Sequence, residues 1–193
     1  MEYFDAKLVI SAAGKNQWPD SNLPEIVLAG KSNVGKSSLI NTLVNRKSLA
    51  YVGKTPGKTR LLNFYEVNRE FMLVDVPGYG FANRSQKELI DFGTMMEEYF
   101  HDRQQLRVCI QILDLRHGPT KDDLTMLDFV RSNSIPVLIV ATKQDQCNQS
   151  ETAKNRKMIS EKCNVPLNQI VLFSSKTRKG RDELMNKIQT YLQ

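Results

Sequence analysis

The sequence is poor in the residues that build disulfide frameworks, zinc sites and catalytic triads. Its 193 residues include three cysteines and two histidines. Cys109, Cys147 and Cys163 are an odd number without CxxC spacing, which argues against both a disulfide framework and a zinc site. His101 and His117 have no spacing typical of a metal site or a triad. The functional chemistry therefore has to be carried by other residues.

Long apolar runs are also absent. No stretch approaches the roughly eighteen apolar residues that a membrane-spanning helix needs. The first residues lack a basic segment followed by an apolar one, so we expect no secretory signal, a cytoplasmic location and no stable membrane association. The net charge of +6 is typical of proteins that meet polyanions, although solvated lysines alone would also account for it.

Apolar, β-branched runs alternate with amphipathic patterns along most of the chain. The runs predict strands at 25–29, 61–67, 71–74, 108–113, 135–140 and 170–173, and the patterns predict helices at 36–45, 86–100, 121–132, 152–163 and 181–192. Ser85 with Glu88 and Thr120 with Asp123 have the spacing of capping boxes at two helix starts.

This alternation predicts an α/β fold with a six-stranded, mostly parallel sheet covered by helices on both faces. Only three residues separate the second and third predicted strands, so these two should form an antiparallel hairpin and place one antiparallel strand at the edge of the sheet. We expect a monomer with an N-terminal extension at 1–22 and a single domain at 23–193.

Residues 30–37 match the phosphate-loop pattern G-x-x-x-x-G-K-[ST] between a predicted strand and a predicted helix. Gly30 and Gly35 permit turns that let successive N–H groups converge on phosphate oxygens. Lys36 is placed to bind the β- and γ-phosphates, and the hydroxyl of Ser37 to bind Mg²⁺. The predicted phosphate site consists of Gly30, Lys31, Ser32, Asn33, Val34, Gly35, Lys36, Ser37 and Ser38.

A DxPG sequence follows the predicted strand at 71–74. It puts the carboxylate of Asp75 at the carboxyl end of that strand, where it is expected to hold Mg²⁺ through water. The backbone N–H of Gly78 is expected to contact a γ-phosphate, since glycine permits the close approach. In isolation, DxPG would equally be typical of a turn.

Two further motifs predict a pocket for guanine. Asp145 is expected to accept two hydrogen bonds from the N1–H and amino groups of guanine, and the stem of Lys143 to pack over the base. Backbone N–H groups of the Ser-Ser-Lys triplet after the last strand would face the guanine O6. The predicted base pocket consists of Thr142, Lys143, Asp145, Ser174, Ser175 and Lys176.

The polar segment 54–60 has the composition of a mobile switch. Thr59 is the preferred second hydroxyl ligand of Mg²⁺ because it lies nearer the following strand, and Thr55 is the alternative. Gly57 and Lys58 are expected beside the nucleotide. Lys36, Thr59 and Gly78 are the predicted catalytic residues.

Taken in order, GKSNVGKS, TPGKT, DVPG, TKQD and SSK resemble the motif set of the translation-factor-related small GTPases. KTPGKTRLLNFYEV and DVPGYGFA further resemble the EngB (YihA/YsxC) family of bacterial ribosome-biogenesis GTPases, over nearly the whole chain from about Leu23. The resemblance implies a Ras-like P-loop GTPase fold, Mg²⁺-dependent hydrolysis of GTP, maturation of the large ribosomal subunit through its rRNA and proteins, and a need for the protein in cell growth and division.

The resemblance also bears on the mechanism. Tyr79 stands where Ras-type proteins have the glutamine that orients water, so a low intrinsic rate is expected. Asn33 stands where potassium-using relatives have an asparagine, and we hypothesise that K⁺ bound by Asn33 stimulates hydrolysis. The alternative is that Asn33 only forms hydrogen bonds within the loop.

Basic residues form two clusters that could face ribosomal RNA, the alternative being a solvated surface. The clusters are Arg46, Lys47, Lys54, Lys58 and Arg60, and Lys176, Arg178, Lys179 and Arg181. Three other functions stay open. A small-molecule kinase is disfavoured by TKQD and by the lack of an obvious lid segment, GTPases of tRNA modification or transport normally carry further domains, and Tyr79 is compatible with a nucleotide-binding scaffold without turnover.

Overall fold

The protein has an α/β fold in which a seven-stranded sheet lies between two layers of helices. The computed structural model describes residues 5–50, 61–80 and 85–193. The strands are β1 (Ala6–Ala12), β2 (Glu25–Gly30), β3 (Leu62–Val67), β4 (Phe71–Asp75), β5 (Leu106–Asp114), β6 (Val137–Thr142) and β7 (Ile170–Leu172). The helices in these ranges are α1 (Lys36–Leu43), α2 (Gln86–Asp102), α3 (Lys121–Ser132), α4 (Gln149–Cys163) and α5 (Arg181–Gln189). None of them has both the length and the apolar character needed to cross a membrane.

The strand order is β1-β3-β4-β2-β5-β6-β7. The predicted hairpin of β3 and β4 is confirmed, and the strands from β4 through β2 to β7 are parallel. The predicted mostly parallel sheet with an antiparallel edge is confirmed, but within the described residues the sheet has seven strands instead of six, and β3 is not the outermost strand. A seventh strand, β1, lies in the segment predicted as an N-terminal extension and pairs antiparallel with β3, from Ala6 opposite Val67 to Ala12 opposite Leu62. Only Ala6 and Ala12 of β1 are buried, and the apolar residues Leu8 and Val9 are exposed, so its sequence does not alternate between a buried and an exposed face.

Side chains of β2 alternate between the two helical layers. Ile26 and Leu28 pack in a cluster that contains residues of α1 and α5, while Val27 and Ala29 pack in a cluster that contains residues of α2 and α3. Because a parallel strand in this position is buried on both faces, its sequence is a continuous apolar run. Cys109 on β5 is completely buried and packs in the second of these clusters.

Capping boxes start three of the described helices. The two that were predicted, Ser85 with Glu88 and Thr120 with Asp123, are confirmed. A third, Asn148 with Glu151, starts α4 at Gln149, three residues before the predicted start. The predicted ends of the first and last helices are too late, since α1 ends at Leu43 and α5 at Gln189.

A buried ion pair ties the segment before β2 to the amino end of the sheet. The carboxylate of Glu25 is completely buried and accepts hydrogen bonds from Arg103 Nε at 2.9 Å and from the Tyr99 hydroxyl at 2.8 Å. Arg103 also donates to the Pro19 carbonyl at 3.0 Å and lies over the ring of Trp18. The predicted site lies at the opposite, carboxyl end of the sheet.

Candidate functional site

The carboxyl ends of the parallel strands bring most of the predicted site residues to one edge of the sheet. Gly30 ends β2, Asp75 ends β4, and Thr142 ends β6. In the strand pairing, Leu28 lies opposite Asp75, so the end of β4 lies beside the start of the phosphate loop. In open α/β sheets this edge is where ligands bind.

The phosphate loop joins β2 to α1 through two glycines that other residues could not easily replace. A Cβ atom on Gly30 would lie 2.9 Å from Val34 Cγ1 and 3.2 Å from the Ile112 carbonyl oxygen. Gly35 has φ of +106° directly before α1, a conformation that favours glycine. The Thr142 hydroxyl donates a hydrogen bond of 2.7 Å to the Val34 carbonyl and thereby ties the end of β6 to this loop.

Lys36 and Asp75 form an ion pair at the base of the loop. The Lys36 Nζ donates to Asp75 Oδ1, and the two side chains are 12% and 7% exposed. Each group is therefore the other's compensating charge in a largely desolvated place. Phosphate oxygens would offer the ammonium group a new partner, and a hydrated Mg²⁺ ion would offer the carboxylate one.

The DxPG segment packs directly on the phosphate loop. The Ser32 N–H donates to the Tyr79 carbonyl at 3.0 Å, and Lys31 forms a parallel β-bridge with Tyr79. A Cβ atom on Gly78 would lie 2.7 Å from Ser32 Oγ and 3.0 Å from Ser32 Cα. Glycine at 78 is thus what allows the two segments to approach this closely.

The side chain of Tyr79 is buried in the core and bonded to two polar side chains. Its hydroxyl donates to Asp123 Oδ1 at 2.7 Å and accepts a hydrogen bond from Gln111 Nε2. Burial, reinforced by the charge of Asp123, raises the pKa of Tyr79 well above its usual range. Tyr79 occupies the position of the Ras-type glutamine in sequence, but its hydroxyl is held inside the fold. Of the two partners, Gln111 has a signal in the sequence, because it is a polar residue within the apolar run of β5.

The two parts of the predicted base pocket lie together. The Ser174 hydroxyl donates to Asp145 Oδ1 at 2.6 Å and accepts from the Thr177 N–H at 3.1 Å. The Gln144 N–H donates to the Phe173 carbonyl at 3.1 Å. Ser175 is half-buried and Lys176 is exposed. Asp145 is exposed as well, so its carboxylate is accessible to a ligand.

Lys143 is held between the base pocket and the phosphate loop by an aspartate that was not predicted. Its Nζ donates to Asp114 Oδ2 at 2.8 Å and lies 3.4 Å from the Asn33 carbonyl oxygen. Arg116 donates to both Asp114 oxygens, at 2.9 and 2.7 Å. Burial acts to raise the pKa of Asp114, but the hydrogen bonds from Arg116 and Lys143 outweigh it and hold that pKa well below its usual range. The sequence signal for Asp114 is an acidic residue at the end of the apolar run that forms β5.

Several predicted site residues lie outside the described residues, namely Thr59 with its alternative Thr55, Gly57 and Lys58, together with the basic residues Lys54 and Arg60. Of the others, Asn33 is exposed and has φ of +62°. Its assignment as a K⁺ ligand stays a prediction.

The oxygen atoms of the site suit Mg²⁺. Within the described residues there is no cluster of three or more His, Cys, Asp or Glu side chains that could hold a metal ion. A hydroxyl at Ser37 and the carboxylate of Asp75 beside the phosphate loop are instead the oxygen donors that Mg²⁺ takes together with phosphates and water. The chemistry of this donor set therefore fits Mg²⁺ bound with a polyphosphate.

The phosphate loop, the DxPG segment packed on it and the paired base-pocket motifs define a P-loop GTPase of the Ras-like class. The chain matches the family model described as "50S ribosome-binding GTPase" over residues 25–143. It is 47% identical over 189 residues to the probable GTP-binding protein EngB of Bacillus subtilis, covering 97% of each chain. It is 50% identical over 184 residues to EngB of Listeria innocua, covering 95% of each chain. The chain therefore belongs to the EngB family of GTP-binding proteins, and it is a GTPase.

Solved structures agree on the fold. A crystal structure of a probable GTP-binding protein EngB aligns with a TM-score of 0.73 at 24% identity, covering 87% of this chain and 98% of that one. A single-residue variant of Era from Aquifex aeolicus, bound to GDP and AlF₄⁻, aligns with a TM-score of 0.71 at 23% identity, covering 89% of this chain and 57% of that one. Another Era structure, in complex with MgGDPNP and a segment of 16S ribosomal RNA, aligns with a TM-score of 0.67 at 23% identity, covering 88% of this chain and 56% of that one.

Proposed function

We propose that this protein is a GTP-dependent switch that acts in assembly of the large ribosomal subunit in the cytoplasm, and so supports cell growth and division. The packing of Gly78 on Ser32, beside the pair of Lys36 and Asp75, is the observation that carries this proposal. It brings the segment expected to detect a γ-phosphate into contact with the loop expected to bind it. A γ-phosphate added or lost at this point would therefore act directly on the DxPG segment.

The proposed nucleotide site follows the geometry described above. The phosphate loop, from Gly30 to Ser38, would bind the phosphates, and Asp145 with Ser174 to Lys176 would bind guanine. Ser37 and Thr59 would bind Mg²⁺ directly, and Asp75 would bind it through water. Burial of the Tyr79 side chain supports a low intrinsic rate, since the hydroxyl is engaged elsewhere.

The base pocket is tested by changing Asp145→Asn. The variant should bind GTP about 100-fold more weakly and xanthosine triphosphate more tightly, because the amide replaces an acceptor with a donor. Nucleotide affinities are measured by fluorescence titration, with Asp128→Asn on the exposed face of α3 as the matched control. Unchanged GTP affinity in Asp145→Asn would contradict the assignment.

K⁺ is a proposed further cofactor. Asn33 is exposed at the rim of the phosphate loop, where a cation beside the phosphates would meet its side chain. The role of K⁺ is tested by measuring GTPase rates in KCl and in NaCl at equal ionic strength. We expect the faster rate in KCl, and equal rates would contradict a role for K⁺.

Two observations support ribosomal RNA as the partner. The matched family model is described as ribosome-binding, and Era, which shares the fold, is seen in complex with ribosomal RNA.

The segments that carry the two basic clusters also contact each other. Arg178 donates to Asn45 Oδ1 at 2.7 Å, and Arg181 Nε donates to the Thr42 and Leu43 carbonyls at the end of α1. These contacts bring the loop with Lys176 and Lys179 beside the segment that follows α1, and from this we infer one basic surface formed by the exposed residues Arg46, Lys47, Lys176 and Lys179.

A further inference from the structure

Tyr79, Gln111 and Asp123 form a buried polar network beneath the phosphate loop. Their exposed fractions are 7%, 1% and 4%. Asp123 Oδ1 accepts the hydrogen bond from the Tyr79 hydroxyl, while Asp123 Oδ2 accepts from the Thr120 N–H and hydroxyl, both at 2.8 Å. Gln111 Oε1 has no hydrogen-bond partner in the described part of the chain. Such a network is costly to bury, so its retention in a GTPase core calls for an explanation.

The backbone of the same tyrosine belongs to the nucleotide site. Its carbonyl accepts the hydrogen bond from the Ser32 N–H, and its neighbour Gly78 packs on Ser32. Tyr79 therefore connects the phosphate loop to α3. Its main chain contacts the phosphate loop, and its side chain is bonded to the first turn of α3.

We propose that Tyr79 is a positioning residue for recognition of the γ-phosphate. The Asp123 carboxylate holds the Tyr79 hydroxyl, the tyrosine in turn holds the Gly78–Tyr79 peptide against Ser32, and the Gly78 N–H is thereby aimed at the γ-phosphate. This inference rests on the role proposed above for Gly78. GDP has no γ-phosphate, so the network should favour GTP over GDP without contributing to the affinity for GDP.

The test replaces Tyr79 with phenylalanine, which removes the hydroxyl and keeps the ring. A hydrogen bond to a buried carboxylate is among the stronger ones, so the preference for a non-hydrolysable GTP analogue over GDP should fall about tenfold in Tyr79→Phe. The affinity for GDP should stay the same. Both affinities are measured by isothermal titration calorimetry with Mg²⁺ present.

Tyr99 supplies a matched control at the opposite end of the sheet. It is also a buried tyrosine whose hydroxyl donates to a buried carboxylate, that of Glu25, at 2.8 Å. Tyr99→Phe should lower the unfolding temperature as Tyr79→Phe does, but leave the preference for the GTP analogue unchanged. A drop in preference of equal size in both variants would overturn the proposal, because it would show a general loss of stability.

Two more variants make the outcome decisive. Asp123→Asn weakens the same hydrogen bond without altering Tyr79, so it should also reduce the preference for the GTP analogue, by a smaller factor. This variant replaces Tyr79→Phe in the test if Tyr79→Phe does not fold. Gly78→Ala tests the role on which the inference rests. If Gly78→Ala lowers the preference and the Tyr79 and Asp123 variants do not, the positioning role of Tyr79 is wrong. If none of the three lowers it, the role of Gly78 is wrong as well.

Discussion

At the scale of single residues, the ion pair of Lys36 and Asp75 would compete with the ligand contacts proposed for both side chains. In the structure each side chain neutralises the other in a place from which water is largely excluded. Binding of a nucleotide with Mg²⁺ would separate them, because the ammonium group would turn to phosphate and the carboxylate to the hydrated ion. In the proposed site, the pair would therefore be exchanged for ligand contacts when nucleotide and Mg²⁺ bind.

Changing Lys36→Met should destabilise the ligand-free protein as well as abolish tight nucleotide binding. The Asp75 carboxylate would stay buried without its cation, and removing one partner of a buried pair costs about 3 kcal/mol. Unfolding in urea measures this change. The double variant Lys36→Met with Asp75→Asn should recover most of the lost stability, whereas equal stability of the wild-type protein and Lys36→Met would show that the pair contributes nothing.

Residues with a strong local signature could be predicted from the sequence. Gly30, Lys36 and Asp145 lie in motifs whose spacing specifies a backbone geometry, and the structure places them at one edge of the sheet. Asp114 and Asp123 could not be predicted as parts of the site. Their importance comes from contacts with Lys143 and Tyr79, which are distant in sequence and are set only by tertiary packing.

At the scale of secondary-structure elements, helix starts are specified by capping residues. Three described helices begin at a capping box, and the sequence spacing predicts two of these boxes. The box of Asn148 and Glu151 was missed because α4 opens with polar residues, which hid the helical pattern until Thr152. The strand β1 could not be predicted for a different reason, since its apolar middle residues are exposed or half-buried and lack a clear alternation.

Changing Asn148→Ala should cost about 1 kcal/mol of stability, because it removes the acceptor for the Glu151 N–H, which is 2.9 Å from Asn148 Oδ1. The free energy of unfolding is measured by chemical denaturation. Ser150→Ala in the same turn is the control, since Ser150 is exposed, and its effect should stay within about 0.5 kcal/mol. Equal effects of the two substitutions would argue against the cap.

At the scale of the whole molecule, the two ends of the sheet carry different groups of polar side chains. The amino end of the sheet holds the buried network of Glu25, Tyr99 and Arg103, and the carboxyl end holds the proposed nucleotide site. The proposed basic surface of Arg46, Lys47, Lys176 and Lys179 would adjoin the proposed base pocket, since Lys176 and Lys179 lie in the loop that carries Ser174. The fold class can be predicted from the alternation of strands and helices in the sequence. The proximity of the two basic clusters cannot, because it depends on the contact of α1 with α5.

Co-sedimentation with purified large ribosomal subunits tests the proposed switch most directly. The protein is loaded with a non-hydrolysable GTP analogue or with GDP, and bound protein is measured across a series of salt concentrations. We predict that the analogue-bound form binds more tightly, that binding weakens steeply with salt as counterions are released, and that Lys176→Glu with Lys179→Glu weakens it more than Lys154→Glu with Lys157→Glu on α4. Equal binding in both nucleotide states, or no binding in either, would contradict the account.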